Sequence, residues 1–122
     1  MAKILIVEDD KSLREVFHLI VESDGHTVAV AEDGAEGLKK LASFSPDIVL
    51  LDMLMPVKSG LEFMQEADIV QLHPDTTVII LSNLSQSDTI EQALKLGAVK
   101  HLIKSDITPV ILLEELRTLT ES

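Results

Sequence analysis

Four polar sites along the 122-residue chain follow directly on short apolar runs. They are Glu8-Asp9-Asp10 after residues 4–7, Asp52 after 48–51, Ser82-Asn83 after 78–81 and Lys104 after 102–103. Adjacent carboxylates repel one another unless one is protonated or a cation neutralises them. Hard oxygen ligands of this kind suit Mg2+. The same triplet also reads as a solvated acidic turn, with Asp10 capping the helix that follows. Asp52 divides in the same way. It is either a cap at a strand end or a nucleophile that forms an acyl phosphate. Combined across a sheet with Glu8 and Asp9, it reads as nucleophile and ligand together. Ser82 offers a hydroxyl to a phosphoryl oxygen, and Lys104 a point positive charge. With no phosphoryl group present, Lys104 pairs with the acids. Such a set performs the positioning and charge neutralisation that phosphoryl transfer requires.

Other chemistries fit poorly. Neither GxGxxG nor GxxxxGK[ST] follows the first run, so a backbone phosphate cradle is unsupported. The chain has no cysteine, which removes disulfides, thiolate metal sites and cysteine nucleophiles and suits the cytoplasm. His18, His26, His73 and His101 lack metal-ligand spacing. A net charge of −11 opposes binding to a phosphate backbone, and three Phe with no Trp or Tyr leave no stacking platform. No apolar run approaches the ~20 residues of a membrane span, and the opening Met1-Ala2-Lys3-Ile4 is unlike a signal peptide. At 46% hydrophobic residues, the chain has enough apolar content for a folded core.

The elements that must position these residues alternate in period. Runs at 4–7, 28–31, 48–51, 78–81 and 102–103 suit strands buried on both faces of a parallel sheet. Between them lie helical stripes: Leu13, Val16, Phe17, Ile20 and Val21; then Leu38, Leu41 and Ala42; then Phe63, Met64, Ala67 and Val70. Ile90, Ala93 and Leu94 form the fourth, and Leu112, Leu113, Leu116 and Leu119 the fifth. Asp10, Asp33, Ser59 and Ser85 or Ser87 suit N-caps, Gly25 and Gly97 suit helix ends, and Pro109 suits a first helical turn. Five strand–helix units predict an α/β fold: a single doubly wound, five-stranded parallel sheet with five helices, forming one domain over residues 1–122. The chain is too short for an eight-unit barrel. In an open sheet of this kind the site lies beyond the carboxyl ends of the strands, where the four polar sites fall.

With those residues in place, the chain resembles the receiver domains of bacterial two-component response regulators, chemotaxis receivers among them. The resemblance rests on Lys3-Ile4-Leu5-Ile6-Val7-Glu8-Asp9-Asp10 and on Asp52-Met53-Leu54-Met55-Pro56-Val57-Lys58-Ser59-Gly60, which fits DxxMPxxxG. It rests also on Val78-Ile79-Ile80-Leu81-Ser82 and on Gly97-Ala98 through Lys104. It implies a flavodoxin-like sheet of order 2-1-3-4-5. It implies that Asp52 accepts a phosphoryl group from a histidine kinase, a phosphotransfer protein or a small donor such as acetyl phosphate. Mg2+, for which Mn2+ substitutes, is then held by Asp9, Asp52 and the Leu54 backbone carbonyl, with Glu8 acting through water. Ser82 and Lys104 hold the phosphoryl oxygens. Ser82 and His101 act as the switch, rearranging the face of the fourth helix, fifth strand and fifth helix toward an output partner. Leu54, Asn83 and Leu84 occupy positions that tune access and hydrolysis, and the two leucines imply slow self-dephosphorylation.

Three positions depart from the family pattern. Glu8 stands for the commoner Asp, and Asn83 for a small residue beside Ser82. Ser105 stands where a proline usually makes a cis peptide, so either a strained bond or a different loop is expected. The rival readings are a degenerate receiver that binds partners constitutively, an Asp-nucleophile phosphatase and a flavin carrier. The phosphatase needs an acid where Leu54 stands. The flavin carrier needs a hydroxyl-rich phosphate loop and aromatics that are missing. Val110 and Ile111 fall outside the last helical stripe, as scattered apolar residues or as the contact of an output partner or a phosphorylation-dependent homodimer.

Overall fold

The computed structural model describes residues 2–83 and 87–120. Five strands are formed: β1 (Lys3–Val7), β2 (Thr27–Ala31), β3 (Ile48–Asp52), β4 (Thr77–Ser82) and β5 (Lys100–Ile103). All pair in parallel, in the order β2-β1-β3-β4-β5. The helices are α1 (Lys11–Ser23), α2 (Gly34–Phe44), α3 (Gly60–Ala67), α4 (Ile69–Leu72), α5 (Ser87–Lys95) and α6 (Pro109–Thr120).

Strand alternation divides the core in two. Leu5, Val7, Val49, Leu51, Val78 and Ile80 face one side, where α2 to α5 supply Leu41, Phe63, Met64, Ile69 and Ala93. Ile4, Ile6, Ile48, Leu50, Ile79 and Leu81 face the other, covered by Phe17 and Val21 of α1 and by Leu112 and Leu116 of α6. Apart from the polar residues at their ends, Lys3, Asp52, Thr77 and Ser82, the three central strands are therefore apolar throughout, as a sheet covered on both faces requires. The edge strands differ from the prediction: β2 buries only Ala31, and Leu102 and Ile103 of β5 are only half-buried.

The helix ends follow the predicted signals. Asp10 and Asp33 accept hydrogen bonds from the backbone N–H groups of Leu13 and Glu36, and Ser59 forms a capping box with Glu62. Gly25 and Gly97 adopt positive φ where α1 and α5 stop. Ser85 lies outside the described residues, as does the side chain of Ser87. The third helical stretch departs from prediction, giving six α-helices among the described residues in place of five. Asp68 enters the left-handed region at φ 49°, which ends α3 and restarts the chain as α4. The new helical phase buries Ile69 and leaves Val70 exposed. Val16, Ala42 and Leu94 are also exposed, at the margins of their stripes.

Candidate functional site

The sheet order sets β1 beside β3 and β3 beside β4, so three of the four polar sites converge at one edge. Glu8 extends β1 by one residue. Its N–H donates to Ala31 O at 3.0 Å, its side chain is buried, and its Oε2 accepts from the Asp10 N–H at 3.2 Å. Asp9 and Asp10 are exposed. Asp52 is the last residue of β3 and is buried, in register with Leu81. The chain turns back sharply beyond it. The Gly60 N–H donates to Met53 O at 3.1 Å, and a Cβ on Gly60 would lie 2.4 Å from Asp52 O. Only glycine admits this approach, which accounts for the end of the DxxMPxxxG pattern.

Lys104 comes from the far side, one residue past the pair Ser82–Ile103. Its Nζ lies 2.8 Å from Glu8 Oε1 and 2.9 Å from Asp52 Oδ1, so the ammonium bridges the two buried carboxylates. Carboxylate oxygens of Glu8, Asp9 and Asp52 all lie within 4.8 Å of one another. Ser82 Oγ is buried with no hydrogen-bond partner among the described residues, and Glu8 Oε1 has only its ion-pair contact with Lys104. A buried hydroxyl left unsatisfied costs free energy, so an external acceptor suits it.

The charges are unevenly compensated. Burial pushes Glu8 up to about 7; the contact with Lys104 opposes this, and the charge of Asp52 adds to it. Asp52 is likewise raised by burial, against the pull of Lys104. Burial disfavours the Lys104 ammonium, but its contacts with Glu8 and Asp52 outweigh this and hold it above the usual lysine range. One ammonium does not neutralise three carboxylates. A divalent cation fits both the deficit and the all-oxygen donor set.

The remaining predicted residues are placed less closely. Leu54 is exposed, and its N–H reaches Asp52 Oδ1 at 3.4 Å. Asn83 and His101 are exposed, and Leu84 lies outside the described residues. The Lys104–Ser105 bond is trans, and residues Lys104–Asp106 form a 3-10 turn, so the loop differs from the proline-containing form. Sequence reasoning missed Arg14. Its Nη1 donates to Glu8 O at 2.9 Å and approaches Asp9 O at 3.4 Å. A cation in the first turn of a helix opposes the helix dipole, and that was the available signal.

Known proteins are similar to this chain. The family model described as the response regulator receiver domain matches residues 4–117. The chemotaxis protein CheY of Listeria monocytogenes is 40% identical over 105 residues, covering 85% of this chain and 87% of that protein. A protein-glutamate methylesterase/protein-glutamine glutaminase of Carboxydothermus hydrogenoformans is 34% identical over 117 residues. The match covers 93% of this chain but only 32% of that protein, so the chain spans about a third of its length. The structure of a CheY-like receiver domain protein from Methanospirillum hungatei superposes with a TM-score of 0.90 at 28% identity, covering 99% of this chain and 95% of that one. The chain belongs to the response regulator receiver domains of two-component signalling.

Proposed function

We propose that residues 1–122 act as one phosphoacceptor domain, in which Asp52 takes a phosphoryl group from a phosphohistidine of a histidine kinase or phosphotransfer protein, or from a small donor. The observation that carries this reading is the Lys104 ammonium held between Glu8 and Asp52, at the sheet edge where the buried Ser82 hydroxyl has no partner among the described residues. An Asp52 carboxylate oxygen forms the new P–O bond as the donor P–N bond breaks, and the imidazole leaves with the electron pair. Lys104 and Ser82 then hold the phosphoryl oxygens, the first as a point charge and the second as a hydrogen-bond donor. Asp9, Asp52 and the Leu54 carbonyl would hold Mg2+, or Mn2+ in its place, with Glu8 acting through water. When bound, the cation supplies charge neutralisation at the transferring group.

The domain is a phosphoacceptor, not an enzyme with a separate substrate, and it works in the cytoplasm. Its output is the face of α5, β5 and α6, where His101, Val110 and Ile111 are exposed. Ser82 and His101 form the switch, biased by the added charge and acceptor oxygens. Apolar Leu54 and Leu84 cannot orient a hydrolytic water, and Asn83 narrows access, so the acyl phosphate persists. A lifetime of seconds would count against that last point.

The test is amide NMR with Mg2+, before and after adding beryllofluoride, on the unsubstituted chain and on Asp52→Ala. Shifts at Ser82, Lys104 and His101 that vanish in Asp52→Ala are expected. No response at saturating Mg2+ would overturn the proposal in favour of constitutive partner binding.

A further inference from the structure

Arg14 stands at the acidic edge, and the phosphoacceptor reading gives it no task. It stands in the first turn of α1, where the helix dipole disfavours a cation, and its side chain is only 12% exposed. Burying a guanidinium there requires strong local compensation. The partners are chiefly backbone: Nη1 donates to Glu8 O at 2.9 Å and approaches Asp9 O at 3.4 Å, while Nη2 lies 3.5 Å from the exposed carboxylate of Glu32. The two carbonyls belong to consecutive residues of the turn that carries two of the three clustered acids.

We infer that Arg14 is a positioning residue for divalent cation binding, acting through the backbone of the Glu8–Asp9 turn. One nitrogen, Nη1, reaches both carbonyls, while Nη2 lies beside Glu32 and sets the direction of the guanidinium plane, so one side chain holds two successive peptide groups. With both carbonyls drawn toward α1, the carboxylates of Glu8 and Asp9 are held near Asp52 before any cation arrives. The other side of the turn is already pinned by the Glu8 N–H bond to Ala31 O. Without Arg14, the turn must be ordered when the cation binds, and that cost appears as lost affinity. A lysine at this position can donate to the carbonyls but has no second nitrogen for Glu32 and no planar group to fix the direction of its donors.

The inference rests on the proposed function only for the existence of a cation site. The test is a MgCl2 titration of the unsubstituted chain, Arg14→Met, Arg14→Lys and Arg117→Met, with Kd read from the amide shifts of Asp9, Asp10 and Asp52. About tenfold weaker binding is expected for Arg14→Met, in line with losses seen for outer-shell partners of metal sites. Arg14→Lys should fall between it and the unsubstituted chain. Arg117→Met removes a guanidinium from the opposite end of the molecule and should leave Kd unchanged. Binding by folded Arg14→Met within twofold of the unsubstituted chain would overturn the inference alone. An unsubstituted chain that binds no Mg2+ would overturn the proposed function and the inference with it. If Arg14→Met does not fold, the decision passes to Arg14→Lys and to the Arg14 Nε–H resonance of the unsubstituted chain. That resonance should shift with the same midpoint as the Asp9 amide, and one unmoved at saturation would overturn the inference.

Discussion

Burial of Glu8 has a measurable consequence in pH. Its carboxyl titrates near 7 in the folded chain against about 4.5 in a free chain, so between those values the native state holds a proton that the unfolded state has released. Through this group, stability falls as pH rises from about 4.5 to 7. Cation affinity moves the other way, because the ion requires the carboxylate. Magnesium affinity is expected to strengthen as pH rises through 7 and then level off. In Glu8→Gln, calorimetry in EDTA should show a melting point a few degrees above the unsubstituted chain at pH 8, with the difference closing at pH 5. A difference that does not depend on pH would contradict the assignment. Val57 offers a second test. It sits at φ 66° and is 80% exposed, so a β-branched side chain bears left-handed strain with little packing in return. Val57→Asn is expected to gain about 1 kcal/mol in urea unfolding, since asparagine tolerates this region. The acids, Ser82 and Lys104 were legible in the sequence because each interrupts or ends an apolar run. Arg14 was marked only by its place against the helix dipole, because its partners are chiefly carbonyls, which residue identity does not display.

Among the elements, the β3–α3 connection is the most constrained. Gly60 closes against Asp52 O, the Lys58 carbonyl accepts from the Gly34 N–H at 3.0 Å, and the Ser59–Glu62 capping box starts α3. Ser59→Ala is expected to cost about 1 kcal/mol of stability, the usual loss for an N-cap hydroxyl, read by urea unfolding. An unchanged midpoint would mean that water replaces the cap without loss. Strand runs and caps were readable because both are local signals of one or two turns. The break at Asp68 was not. The stripe through Phe63, Met64, Ala67 and Val70 continues at helical spacing, and the register change shows only in Ile69 replacing Val70 against the sheet. Val16 and Leu94 failed for a related reason: periodicity gives the direction of a helix face but not how much of it the sheet covers.

For the molecule as a whole, the strand order brings the acidic pocket to one end of the sheet. A cleft of about 670 Å3 opens at the other, between the start of the strands and the end of α6, beside His26, Asp24 and Arg117. On the flank, Val110 and Ile111 remain exposed on α6 in an otherwise acidic chain. If this flank carries phosphorylation-dependent association, Ile111→Asp should abolish the mass increase seen by light scattering on adding beryllofluoride and Mg2+, leaving Mg2+ affinity intact. Unchanged association would assign the patch no such role. The pairing of α1 with α6 over one face of the sheet has a further consequence, for synthesis. Arg117 bonds Asp24 at 2.9 Å across 93 positions of sequence, and Phe17 shares its layer with Leu112 and Leu116. The layer over the opposite face draws its helices from residues 34–95, and these leave the ribosome before α6 does. A nascent chain therefore carries Ile4, Ile6, Ile48 and Leu50 without their full cover until the final helix has emerged, and is open to chaperones throughout that interval.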